Sequence, residues 1–96
     1  MRILLVEDDD AIVRALSELL RVEGYEVICA ARQDDAIRLI EHDRFDLALL
    51  DVTLAQGTGF AVCAAARDAA PGMPVIFLTA SDDEYSTVMG LDMGAV

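Results

Sequence analysis

Residues 45–60 read FDLALLDVTLAQGTGF, and this stretch decides the fold. The six residues from Phe45 read as a strand, and their apolar run, Leu47-Ala48-Leu49-Leu50, lacks the polar alternation of a half-exposed strand, as expected of one covered on both faces. An aspartate, Asp51, then stands on the strand tip. Small residues follow, with two glycines, Gly57 and Gly59, and from Thr58 the spacing predicts a helix to about residue 69. A carboxylate at the end of the most apolar strand is costly unless it has a partner or a task.

Working outward, the same alternation recurs on both sides. RILLV at residues 2–6 is a short aliphatic strand. From Asp9 the apolar positions Ile12, Val13, Leu16, Leu19 and Leu20 fall on one helix face, with acids in the first turn and Gly24 as a stop. YEVICA (25–30) alternates as a strand, and DDAIRLIEH (34–42) returns to helical spacing. After the turn dipeptide Pro71-Gly72, PVIFLTA (74–80) is another buried strand. Ser81 or Asp82 can cap a last helix to about Met93. The order βαβαβαβα with short connections predicts one α/β domain over residues 1–96, with a parallel sheet between two helical layers and no second domain.

Composition excludes several classes. At 96 residues and 55% hydrophobic, the chain can bury a modest core and is no disordered acidic tail, despite a formal charge of -11. That charge argues against direct nucleic-acid binding by this segment, since phosphate backbones select basic surfaces. It suits a bound cation or a basic partner surface. No signal peptide is visible and nothing approaches the ~20 apolar residues of a membrane span, so the expectation is a cytoplasmic protein without membrane contact. Cys29 and Cys63 lack metal or redox spacing, and their apolar neighbours predict two buried thiols.

Ligands of open parallel α/β sheets sit beyond the carboxyl ends of the strands, where the strand order reverses. In the flavodoxin-like order 2-1-3-4, Glu7 and Asp8 end the first strand, Asp51 ends the central third and Thr79 ends the fourth. Three carboxylates then crowd together with a hydroxyl beside them. Such a cluster needs a countercharge, and the strand ends in question carry no arginine. Mg²⁺ fits, because it takes one or two carboxylates and keeps several waters. A carboxylate beside Mg²⁺ is equipped to attack a phosphoryl group.

ILLVEDDD (3–10), DLALLDVTLAQGTGF (46–60), PVIFLTA (74–80) and GLDMGA (90–95) together resemble the receiver domains of bacterial two-component response regulators. Members of that family are among the type examples of the strand order used above, so that order is lent in part by the resemblance. The resemblance implies that Asp51 is the phosphoacceptor and that a phosphohistidine on a sensor histidine kinase is the donor. It further implies that Asp8 binds Mg²⁺ directly, Glu7 acts through a metal-bound water, and the Thr53 backbone carbonyl completes the protein ligands. Thr79 would hydrogen-bond the phosphoryl oxygen and report it to the next loop. The segment TASDDEYSTVMGLDMGA (79–95) resembles the winged-helix transcription-factor branch, which implies a homodimer through the fourth helix.

The family pattern continues with a fifth strand, an aromatic switch residue, a lysine and a fifth helix, whereas this sequence stops at Val96 and contains no lysine. The expectation is a receiver truncated before its fifth strand, with the fourth strand as an exposed edge that invites strand exchange between copies. Ala55 stands where the family commonly has proline, which loosens a loop and removes no ligand. Two rival functions come from other classes. A haloacid dehalogenase-type phosphatase needs a second aspartate two residues after the nucleophile, where Thr53 stands. A pseudo-receiver would use the same fold for interaction or dimerisation alone, and Mg²⁺-dependent phosphorylation separates it from a working receiver. Simpler roles account for the remainder: Asp9 and Asp10 start a helix, Asp82 and Asp83 cap one, and Gly57 and Gly59 serve backbone conformation. His42 is a surface residue.

Overall fold

The computed structural model of the chain describes residues 1–78. Seven elements alternate along them: β1 (Arg2–Val6), α1 (Asp10–Val22), β2 (Glu26–Ala30), α2 (Gln33–His42), β3 (Leu47–Asp51), α3 (Gly59–Ala69) and β4 (Val75–Leu78). The expected helix from Ser81 or Asp82, and Thr79 itself, lie outside the described residues.

All strand pairings are parallel and the order is β2-β1-β3-β4, as expected. The unbroken aliphatic runs are explained by the two layers that cover them. Ile3, Leu5, Val27 and Leu49 face α1, against Val13, Leu16 and Leu20. Leu4, Val6, Ala48, Leu50 and Val75 face the other way, onto Ala36 and Ile40 of α2 and Val62, Cys63 and Ala66 of α3. Successive residues of one strand thus enter opposite cores, which is why neither face could be polar. A fully buried side chain such as Leu50 contributes roughly 1.5–3 kcal/mol through burial alone.

Element ends follow local chemistry. Asp9 caps α1, its Oδ1 accepting from the N–H groups of Ala11 at 2.9 Å and Ile12 at 3.3 Å. Gly24, at φ +92°, turns the chain out of α1 in a conformation that suits glycine. Thr58 caps α3 by accepting from Ala61 N–H at 3.2 Å. The opening strand starts at Leu47, two residues later than Phe45. Those two residues are drawn to Arg2 instead: Asp46 exchanges bonds with its backbone, and the Arg2 guanidinium lies 5.2 Å from the centre of the Phe45 ring. One expectation fails. Cys63 is buried, but Cys29 is exposed: β2 is the edge strand, and Cys29 Sγ lies at its rim, 3.4 Å from Ser17 Oγ of α1.

Candidate functional site

Strand register assembles the site. Val6 pairs with Leu50 across β1 and β3, so the residues that follow them, Glu7 and Asp51, stand side by side at the carboxyl edge of the sheet. Adjacent strands lie ~4.8 Å apart, close enough for the two carboxyl groups to meet. Glu7, Asp8 and Asp51 each bring a carboxylate oxygen to within 4.8 Å of the others. Glu7 is buried, Asp51 half-buried and Asp8 exposed, so the cluster opens from the sheet edge toward solvent. Past β1, the Asp8 N–H donates to Glu7 Oε2 at 3.1 Å. Asp9 turns away into its capping role, which separates it from the three.

β3 is joined to α3 by a loop that starts with its own clamp. Val52 N–H donates to Asp51 Oδ1 at 2.9 Å, and Gly59 N–H donates to the Val52 carbonyl at 2.8 Å. Gly59 is required here by close approach, since a Cβ on it would sit 2.0 Å from the Asp51 carbonyl oxygen. Thr53 and Thr58 face each other in an isolated antiparallel bridge. Its bonds run to the carbonyls of Val52 and Gly57, so the Thr53 carbonyl takes no part in that ladder.

Electrostatics mark the cluster as unfinished. Burial first, then the hydrogen bond and repulsion from the Asp51 carboxyl, push the Glu7 carboxyl up to about 7, against the backbone bond from Asp8 that favours its ionised form. Among the described residues, the ion pairs involve Arg2, Arg32 and Arg38, none of them with Glu7, Asp8 or Asp51. Three carboxylates without a basic partner are held together by shared protons or by a cation. The donor set is all oxygen and reaches solvent, which fits a hard ion that keeps part of its water, and Mg²⁺ before softer metals.

Of the residues expected at the site, the structure brings together Glu7, Asp8 and Asp51, and places Thr53 at the head of the adjoining loop. Sequence reasoning missed two glutamines beside it. Gln33, at the start of α2, accepts from the Thr58 N–H, and Gln56, in the β3–α3 loop, accepts from the Asp34 N–H, in bonds that span 25 and 22 residues. No local pattern signals contacts of that range.

The response regulator receiver domain model matches residues 3–96. The chain is 42% identical over 95 residues to the transcriptional regulatory protein DltR of Streptococcus agalactiae, an alignment covering 99% of this chain and 42% of the relative. It thus spans about two fifths of the length of that curated relative. Among solved structures, a CheY-like receiver domain protein from Methanospirillum hungatei superposes with a TM-score of 0.91 at 37% identity, covering 98% of this chain and 75% of that one. The receiver domain of the sensor histidine kinase PA1611 from Pseudomonas aeruginosa superposes with a TM-score of 0.88 at 30% identity, covering 98% and 79%. That structure has a magnesium ion coordinated in its active-site cleft.

Proposed function

The chain belongs to the response regulator receiver domain family, and on that premise we propose that it is a phosphorylation switch whose acceptor is Asp51. The observation that carries this reading is the meeting of Glu7, Asp8 and Asp51 at two adjacent strand ends, without an arginine or histidine paired to them among the described residues. The magnesium of the PA1611 receiver supports the same assignment here.

Glu7, Asp8, Asp51 and the Thr53 carbonyl would hold Mg²⁺, which supplies charge neutralisation for an incoming phosphoryl group. An Asp51 carboxylate oxygen attacks phosphorus of a phosphohistidine on a sensor histidine kinase. The P–O bond forms as the P–N bond breaks, and the departing imidazole keeps its electron pair and takes up a proton from solvent. Thr79, one residue past the Asp51-paired Leu78, would donate its hydroxyl to the new phosphoryl group. The modification then shifts a conformational equilibrium toward an output state. Because DltR is a transcriptional regulator, the output proposed for the whole protein is control of transcription, with homodimerisation as the means.

The test is intact mass after incubation with a small-molecule phosphoryl donor, with and without Mg²⁺, beside Asp51→Asn. A single Mg²⁺-dependent phosphoryl adduct, lost in the variant, is the expected result. An adduct retained by Asp51→Asn overturns the acceptor assignment. No adduct in either protein, with Mg²⁺ bound, favours the pseudo-receiver.

A further inference from the structure

α2 begins without a cap of its own. Its N-cap position is Arg32, whose side chain makes no capping bond, although an exposed first turn ordinarily recruits Ser, Thr, Asn or Asp there. The caps come from the acceptor loop instead. Gln33 N–H donates to the Gln56 carbonyl at 2.9 Å, and Asp34 N–H donates to the Gln56 side-chain Oε1 at 3.3 Å. Gln33 returns the contact, its Oε1 accepting from Thr58 N–H at 3.0 Å. Gly57 lies under this side chain at φ +87°, and a Cβ on it would fall 2.0 Å from Gln33 Oε1. Two elements far apart in sequence are therefore clasped by three hydrogen bonds over a glycine that makes room for them.

The clasped loop is the one that carries Thr53 and closes on Asp51 through the Gly59 and Val52 bond. Cut the clasp, and Thr58 loses one of its tethers while Gln56 is free to swing. The loop between Thr53 and Thr58 is then held by its bridge and by the buried Leu54 side chain, neither of which fixes Gln56.

We propose that Gln33 and Gln56 are positioning residues for the metal site, fixing the loop whose Thr53 carbonyl is the proposed backbone ligand. This rests on the metal-binding reading above. It assigns both glutamines a role that their chemistry suits: each works through an acceptor oxygen, and neither needs a charge.

Mn²⁺, read through the electron paramagnetic resonance signal of the free ion, is the probe, with thermal denaturation in parallel. Gln33→Leu keeps bulk and loses the acceptor. It should weaken Mn²⁺ binding by roughly tenfold, the lower end of what loss of an outer-shell partner costs. Gln56→Ala should do the same, and the double variant should be little worse than either, because both cut one device. Gln33→Glu retains an acceptor at the same reach and should restore most of the affinity at high salt, where its added charge is screened. Affinity unchanged in both single variants, with only the melting temperature lowered, would show a structural clasp and overturn the proposal. Additive losses would overturn it as well. Wild-type protein that binds no Mn²⁺, or binds it equally well as Asp8→Ala, would instead defeat the metal reading beneath it.

Discussion

The two ends of the sheet treat charge in opposite ways. At the amino ends of the strands, Arg2 sits among acids and satisfies them: its guanidinium pairs with Glu26 at 2.7 Å and with Asp43, and donates to the Arg44 carbonyl at 3.1 Å. At the carboxyl ends, Glu7, Asp8 and Asp51 meet without such a partner among the described residues. Each end belongs to the same strands, so topology does not make the difference. What differs is whether the chain supplies its own counterion. An end that does so has its charge balanced from within, and an end that does not has room for a cation from solution.

The sharpest way to break that contrast is to remove the exposed carboxylate of the open end. Asp8→Ala deletes a proposed direct ligand, so Mg²⁺ affinity should fall by about a hundredfold or more, beyond the ~10–100-fold typical of outer-shell losses. Isothermal titration measures it. The same experiment on Arg2→Ala should leave the affinity unchanged, and a comparable loss there would show that the ends are not independent.

The pH dependence of stability sharpens the contrast next. Glu7 carries a carboxyl raised from the ordinary 4.5 to about 7 by burial and by Asp51. Between those values the folded chain keeps a proton that the unfolded chain has lost. Stability therefore falls as pH rises through this window and levels off above it. The expected loss is on the order of 1–2 kcal/mol once solvent screening at the open edge is discounted. Urea denaturation of metal-free protein at pH 5 and pH 8 reads it. Saturating Mg²⁺ should flatten the slope by holding Glu7 ionised. Asp51→Asn should shrink the slope without abolishing it, since burial is the leading cause of the shift. A stability that rises across the window would mean that the cluster is already compensated from within.

How legible these features were depends on the range of the interaction. Covered strands announced themselves through LALL and VIFL, and the acid cluster followed once strand order placed Val6 beside Leu50. Asp9 was readable as a cap because capping is local. Cys29 departs from its expected burial because apolar neighbours in sequence do not reveal that a strand lies at the sheet edge. The role of Arg2 is not legible in the sequence, as its acids come from positions 26, 43 and 46 and no periodicity links them. Gln33 and Gln56 escaped for the same reason: a glutamine pair has no spacing signature, and its partners are backbone groups. Helix and strand periods report what each element buries, while contacts between loops are settled only when the sheet brings them together.

Arg2 supplies the smallest effect and the clearest contrast. Its partners are exposed enough for water to compete, and Asp43 responds as an ordinary paired surface acid would, held below its usual value mainly by the hydrogen bond from Arg2. Surface ion pairs of this kind contribute little each, and salt weakens them. Arg2→Ala should lower the melting temperature modestly, through lost packing on Phe45 as well as lost charge. Arg2→Met keeps the apolar stem and should recover part of the loss. The charge-dependent remainder should shrink as salt is raised, whereas the packing part should not. A deficit insensitive to salt would assign Arg2 to packing alone, and the contrast between the two ends would then rest on shape and not on charge.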